Sequence, residues 1–149
     1  MSDPVQIHNW LRLENKLTTS GQPSETELGQ IKELGVSHVI NLALHDHEKS
    51  LPDERSVVEE LGMEYIHIPV IFDSPTEADF DQFCDEMDRL KNQSVHVHCI
   101  VNARVSAFLY RYRRDRLGWD EQDAKEDMEK IWNPKDWKEP GEPWVRFIS

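Results

Sequence analysis

Short β-rich runs alternate with helical patterns along most of this chain. The β-rich runs are VSHVINL, MEYIHIPV and SVHVHC, at residues 36–42, 63–70 and 94–99. The helical patterns occupy residues 24–34, 53–62, 76–90, 103–118 and 120–132. Strands that are joined through helices pair in parallel, because the crossover returns the chain in the same direction. The sequence therefore predicts an α/β fold with a mostly parallel central sheet covered by helices on both faces.

Local signals mark the helix beginnings. Ser24 with Glu27, and Thr76 with Asp79, have the spacing of cap pairs, and Asp120 can cap the helix that follows it. After Thr76 the apolar residues keep the i, i+3, i+4, i+7 spacing of an amphipathic helix; they are Phe80, Phe83, Cys84, Met87 and Leu90. This stripe predicts that Cys84 packs in the core.

Length and composition limit the class of protein. A chain of 149 residues predicts one domain, spanning residues 1–149. The net charge of -12 disfavours binding to nucleic acid and to anionic membranes. No apolar run approaches the ~20 residues of a membrane span, and the N-terminus lacks the pattern of a signal peptide. With only two cysteines the composition fits a reducing compartment, so we expect a cytoplasmic protein.

Cys99 directly follows the last β-rich run and precedes a helical pattern. Parallel α/β sheets bind ligands beyond the carboxyl ends of their strands, which is where this cysteine is expected. A helix N-terminus stabilises a thiolate, and the free N–H groups of the same turn can hold an oxyanion. Arg104 would add a planar donor that suits phosphate oxygens. Together these groups fit phosphoryl transfer to a cysteine.

The segment HCIVNARVS resembles the signature loop H-C-x-x-G-x-x-R-S/T of the cysteine-dependent phosphatases. Other stretches resemble segments of one bacterial branch of the dual-specificity and tyrosine-phosphatase-like group, and they occur in the same order. This branch is the phosphatase-like domain that is also found fused to β-lactamase-type hydrolases. These stretches span most of the chain and are SGQPS, LGVSHVINL, YIHIPV, FDSPT and the closing WNP with the tryptophan after it. The resemblance implies a dual-specificity-like architecture and hydrolysis of phosphomonoesters through a cysteinyl-phosphate, with no metal or other cofactor.

The resemblance also implies roles for individual residues. Cys99 would be the nucleophile, Arg104 the phosphate-binding side chain, and Asp73 the general acid and then the base. The phosphate cradle would comprise Ile100, Val101, Asn102, Ala103, Arg104 and Ser106. The implied partners are a phosphorylated protein or small molecule as substrate, and a phosphate or sulfate ion in the loop.

The same residues also fit ordinary structural roles that need no catalysis. Cys99 also fits a core thiol, because cysteine is among the most often buried residues. Asp73 also fits a turn residue, since Asp-Ser-Pro favours turns. Ser106 also fits a helix serine bonded to a preceding carbonyl.

The loop is one residue shorter than the common pattern, with four residues between Cys99 and Arg104. Aligned without a gap, Asn102 occupies the glycine position, Ser106 the hydroxyl position, and Arg104 lies one residue early. Aligned with a deletion, Arg104 stays in register and Val105 replaces the hydroxyl. We favour the ungapped alignment, because asparagine tolerates positive φ better than other non-glycine residues.

Three alternatives to the phosphatase follow from these features. A catalytically weak or inactive pseudophosphatase that recognises phosphorylated partners is the main one, because the loop is short. A thiol redox enzyme would need a second thiol within reach of Cys99. His96 and His98 share one face of a strand, but no acidic residue lies close by in that strand and no CxxC or HExxH pattern occurs, so we expect no metal site.

Overall fold

The fold is built on a five-stranded sheet, which a computed structural model describes together with the rest of residues 2–139 and 141–149. The strand order is β1-β2-β5-β3-β4, with the bounds Leu11–Glu14, Leu17–Ser20, His38–Asn41, Glu64–His67 and Val95–His98 for β1 to β5. The β1–β2 pair is antiparallel, and the other three pairs are parallel. The predicted α/β class with a mostly parallel sheet is confirmed.

Six α-helices accompany the sheet in the described part of the chain. They are α1 to α6, at Glu25–Glu33, Glu54–Glu60, Glu77–Arg89, Ala103–Arg111, Glu121–Glu129 and Gly141–Phe147. The capping box of Ser24 and Glu27 is present, and the Thr76 side chain accepts from the Asp79 amide. The predicted helix at 103–118 is α4 followed by a π-helical turn at Tyr112–Arg116. None of these helices is long and apolar enough to cross a bilayer.

Apolar side chains pack on both faces of the sheet, because neighbouring residues of a strand point to opposite sides. On β3, Val39 belongs to a core that includes Leu28 of α1 and Val58 of α2. The next residue, Ile40, belongs to a larger core with residues of α3 to α6. Cys84 lies in this larger core, fully buried, and burial raises the pKa of its thiol to about 12. Its predicted packing role is confirmed.

The carboxyl ends of the parallel strands meet at one edge of the sheet. Ser20 at the end of β2 and Asn41 at the end of β3 both lie in register with His98 at the end of β5. The chain leaves β5 through Cys99 and enters α4 at Ala103. The loop from Cys99 to Asn102 therefore lies at the edge where parallel α/β sheets bind ligands, as predicted.

Candidate active site

Residues at the ends of β2 and β5 hydrogen-bond to the first carbonyl groups of the loop that begins at Cys99. The backbone N–H of Gln22 donates to the Ile100 carbonyl at 3.0 Å. Gly21 lies so close that a Cβ there would be 2.4 Å from the same carbonyl oxygen, so a side chain at this position would displace the loop. Nδ1 of His98 lies 3.1 Å from the Cys99 carbonyl oxygen. The end of β2 therefore holds the first half of the loop.

Two asparagines hold the second half of the loop. Nδ2 of Asn9 donates to the Val101 carbonyl at 2.8 Å. Nδ2 of Asn102 donates to the Asn9 carbonyl at 2.9 Å and to the Thr19 hydroxyl at 3.0 Å. Asn102 has φ of 71°, the left-handed conformation of a loop glycine. This geometry supports the ungapped alignment, in which Asn102 takes the glycine position.

The backbone amides that follow Cys99 make no hydrogen bond within the described part of the chain. The Asn102 carbonyl accepts from Ser106 in the first turn of α4, so all four loop carbonyls have donors. Within residues 2–139 and 141–149, the N–H groups of residues 100 to 105 have no acceptor. Six consecutive free amides at a helix N-terminus form an anion-binding cradle, because their dipoles all favour negative charge.

Arg104 brings a largely buried guanidinium to this cradle. Its Nη1 donates to the Val70 carbonyl at 2.7 Å, and the group lies 5.2 Å from the centre of the Phe72 ring. Arg104 is 6% exposed, yet no carboxylate of the described residues lies within ion-pair distance. A buried cation without a counter-ion is costly, so this arrangement favours an anionic ligand.

The cradle opens into a cavity of about 630 Å³, a volume typical of small-molecule sites. Its floor includes Ile100, Val101, Ala103 and Arg104. Its wall comes from Phe72 and from the loop after β3, through Leu44, Asp46, His47, Glu48 and Lys49. The wall thus carries charges of both signs.

Cys99 itself is fully buried, beside neighbours that line the cavity. Its side chain belongs to the larger apolar core. The structure therefore places Cys99 at the start of the loop, with its sulfur beneath the cavity surface, and Arg104 in the first turn of the helix that follows.

Asp73 and Ser106 lie outside the cavity lining. Asp73 is exposed, and it lines a neighbouring groove beyond Phe72. The hydroxyl of Ser106 donates to the Ala103 carbonyl at 2.9 Å, and its side chain lines a small pocket with Leu11 on the far side of α4. Ser106 thus has the bonding of an ordinary helix serine, and its predicted place in the phosphate cradle finds no support in this geometry.

Buried histidines support the strand beneath the loop. Nδ1 of His96 bonds to the Thr18 hydroxyl and Nε2 to the Ser20 hydroxyl, each at 2.8 Å. Burial and the charge of His98 hold the pKa of His96 well below its ordinary value. Among the described residues, no three His, Cys, Asp or Glu side chains are grouped as metal ligands.

Comparison with known families identifies the architecture. The family described as DSP-PTPase phosphatase fused to NAD⁺ kinase matches residues 6–138, most of the chain. The chain belongs to this phosphatase family.

Solved and curated relatives agree with the family. A putative phosphatase (DUF442) from Shewanella putrefaciens CN-32, known from a crystal structure, is 32% identical in sequence to this chain. The two structures match with a TM-score of 0.84, and the match covers 97% of this chain and 89% of that one. The fold is also shared with TpbA of P. aeruginosa in complex with pTyr, at 21% identity and a TM-score of 0.72, over 93% and 83% of the two chains. The beta-lactamase hydrolase-like protein of Xylella fastidiosa (strain Temecula1 / ATCC 700964) is 32% identical over 96 residues, covering 62% of this chain and 22% of that protein. The chain thus spans about a fifth of that curated relative. The predicted resemblance is confirmed.

Several residues that shape this phosphatase site are not apparent from the motif. Gln22 and Gly21 lie in SGQPS, which the resemblance already included, but their contact with the loop needed the β2–β5 pairing. Asn9 and Glu54 lie outside the quoted stretches, and no local pattern distinguishes them. Glu54 acts through His98, since its Oε2 lies 2.6 Å from Nε2 of that buried ring. The free amide of Val105 follows from its position, because α4 begins at Ala103 and the first N–H groups of a helix have no intrahelical acceptor.

Proposed function

We propose that this phosphatase-family chain hydrolyses phosphomonoesters through a cysteinyl-phosphate on Cys99. The observation that carries the proposal is the cradle of six amides that have no acceptor within the described residues, next to an Arg104 guanidinium that has no carboxylate of those residues within ion-pair distance. Such a set of donors matches the equatorial oxygens of a phosphoryl group in transfer. The thiol at the start of the same loop supplies the nucleophile.

The reaction would proceed in two displacements. The Cys99 thiolate attacks phosphorus, the bond to the ester oxygen breaks, and the leaving oxygen takes a proton from Asp73. Water then attacks phosphorus and gives its proton to Asp73, while the S–P bond breaks and the thiolate returns. Because the sulfur is buried here, its attack requires the side chain or the loop to turn toward the cavity.

Asp73 is proposed as the acid because of its segment. It follows Phe72, whose ring forms part of the cavity wall, and it comes three residues after Val70, which anchors Arg104. The distance to the cradle would close on substrate binding, since catalytic hydrogen bonds are often long before the substrate arrives.

The cavity wall favours substrates with one phosphoryl group and an apolar body. Lys49 is offset by Asp46 and Glu48, so the wall offers little net attraction to further phosphates. Leu44 and Phe72 provide apolar contact for an aryl group. The pTyr bound to TpbA, which shares the fold, has this chemistry.

Turnover of p-nitrophenyl phosphate tests the proposal. Wild type should release phosphate, and Cys99→Ser should not. Phosphate or tungstate should raise the melting temperature of both proteins, because the amide cradle is unchanged, with a gain of about 2.7 kcal/mol at about 100 times Kd.

A phosphate-binding protein without turnover is the second candidate function. The full burial of Cys99 and the exposed position of Asp73 favour it. Stabilisation of wild type by phosphate, together with turnover no faster than that of Cys99→Ser, would select this candidate.

A further inference from the structure

A second cavity lies at the opposite end of the sheet from the Cys99 loop, and we call it the distal cavity. Leu17 and Val95, the first residues of β2 and β5, pair in register and both line it. Cys99 directly follows the last residue of β5, so the length of this strand, about 13 Å at 3.3 Å per residue, lies between the two sites. The distal cavity is therefore separate from the phosphate cradle.

The floor of the distal cavity is apolar. It is built by β2, β5, α3 with the residue that caps it, α4 and the π-helical turn. Each floor residue is at most 8% exposed, and these residues are Leu17, Met87, Leu90, Val95, Leu109 and Tyr112. The volume is about 160 Å³. Because an apolar cavity of about 150 Å³ can bind benzene, this floor has room for an apolar group of roughly that size.

The mouth of the distal cavity carries positive charge. Lys16, in the turn between β1 and β2, and Lys91, directly after the α3 cap, are exposed and line it. Lys130 is the only lysine of the described residues within ion-pair distance of a carboxylate, so neither of these two has such a partner. Leu117, which is 49% exposed, adds apolar surface. The mouth therefore offers cations and apolar contact together.

The other charges of the lining are balanced. Arg113 is 2% exposed, and its guanidinium donates to Glu14 at 3.1 Å and to Asp127 at 2.7 Å. Glu14 also lines the cavity, and Arg113 offsets its charge. Nε of Arg113 is buried and has no acceptor among the described residues, which leaves an unused donor in this wall. The excess charge of the lining is thus positive, on a chain whose net charge is -12.

We propose that the distal cavity binds a small carboxylate with an apolar body, about the size of benzoate. The body would lie on the apolar floor, where its burial drives binding, and the carboxylate would lie at Lys16 and Lys91. The two lysines provide a local positive site against the acidic surface of the chain, which otherwise repels anions. The proposal does not rest on the proposed function, because the distal cavity shares no lining residue with the cavity over the cradle.

Three small molecules separate the parts of this recognition. Benzoate has the ring and the charge, benzyl alcohol has the ring without the charge, and acetate has the charge without the ring. Each is titrated into the protein while NMR follows the methyl groups of Leu17, Leu90, Val95 and Leu109. Excess phosphate is present to compete at the cradle, and the backbone amides of residues 100–105 report any binding there.

We expect benzoate to shift the four methyl signals and to bind more tightly than benzyl alcohol, whereas acetate should not shift them. Lys16→Gln and Lys91→Gln should each weaken benzoate binding by about 2–5-fold, the range of an exposed ion pair, and should leave benzyl alcohol binding unchanged. Lys135→Gln is the matched control, because it replaces an exposed lysine that does not line the cavity. All three variants change exposed side chains, so each should fold as wild type does.

Several results would overturn the proposal. Benzoate might shift none of the four methyl signals, or shift only the amides of residues 100–105. Benzoate binding no tighter than that of benzyl alcohol, or weakened as much by Lys135→Gln as by Lys16→Gln, would remove the role of the two lysines. Methyl shifts that depend on protein concentration alone would assign the distal cavity to a second copy of the chain instead.

Discussion

Asn102 and Asn9 hold each other in place at the base of the loop. Nδ2 of Asn102 donates to the Asn9 carbonyl at 2.9 Å, while Nδ2 of Asn9 donates to Val101, the neighbour of Asn102, at 2.8 Å. Both asparagines have positive φ, of 71° and 51°. Asparagine is one of the few residues that tolerate this conformation, and its amide adds bonds that glycine cannot make. Asn102 therefore replaces the usual loop glycine and also fastens the loop to the N-terminal segment.

The two roles of Asn102 can be separated by two substitutions. Asn102→Gly keeps the positive φ and loses the side-chain bonds, so we expect the free energy of unfolding to fall by about 1–2 kcal/mol. Asn102→Ala loses the same bonds and adds backbone strain, which should lower the free energy of unfolding by about a further 1 kcal/mol. Denaturant unfolding measures both values. Equal losses in the two variants would show that the positive φ is not a constraint.

The proposed acid role of Asp73 predicts a dependence on the leaving group. Asp73→Asn should slow hydrolysis of phenyl phosphate, whose leaving oxygen needs a proton, by about 10²–10⁴-fold. It should slow hydrolysis of a substrate with a strongly acidic leaving phenol much less. Steady-state kinetics with a series of aryl phosphates measures how steeply the rate depends on the acidity of the leaving phenol, which is the leaving-group slope.

Asp46→Asn is the matched comparison for Asp73→Asn. Asp46 is a carboxylate that lines the cavity directly, on the loop after β3. If Asp73 is the acid, Asp46→Asn leaves the leaving-group slope as it is in wild type. A steeper slope in Asp46→Asn than in Asp73→Asn would assign the acid to Asp46 instead.

Most of the fold could be predicted from the sequence because its signals are local. The runs around Val39 and Val97 are β-rich, the caps at Ser24 and Thr76 are local, and each predicted element is present. The β1–β2 hairpin was not predicted, because its sequence LRLENKLTTS is too polar to look like buried strands. Helix α6 was also missed, since the tail has two prolines close together and little periodicity.

The candidate site could be predicted in part. The motif placed Cys99, Arg104 and the loop amides correctly at the edge of the sheet. The contacts that shape the loop come from distant segments, such as those of Gln22 and Asn9, and depend on tertiary structure. The side-chain direction of Ser106 depends on where α4 begins, and this local geometry is not encoded in a motif.

The segment that carries Asp73 is fastened by α6. Nε1 of Trp144 donates to the Phe72 carbonyl, and the two rings pack with 6.1 Å between their centres. Trp144→Phe removes this bond from a partly buried carbonyl, so we expect a loss of about 1–3 kcal/mol in unfolding free energy and faster hydrogen exchange around residues 72–75. Trp137→Phe is the control, because Trp137 belongs to the same aromatic cluster but is 39% exposed. Equal effects of the two substitutions would argue against the hydrogen bond as the fastening contact.

His96 should make the protein less stable in mild acid. Its pKa in the folded protein lies well below the ordinary value of 6.5, because burial and the charge of His98 oppose its protonation. Above about pH 6.5 the ring is neutral in both the folded and unfolded states, and its contribution to stability is complete. Below that pH the unfolded chain binds a proton that the folded protein does not, so the stability falls by up to about 1.4 kcal/mol per pH unit from this residue.

The measurement is denaturant unfolding between about pH 7.5 and pH 5. His96→Gln should be less stable than wild type at the upper end, because the bonds to Thr18 and Ser20 change, and its stability should fall less steeply toward the lower end. Substitution of the exposed His8 by Gln should reproduce the wild-type slope. A His96→Gln curve parallel to that of wild type would mean that His96 binds its proton equally in both states, and that the buried strand beneath the loop is open to water.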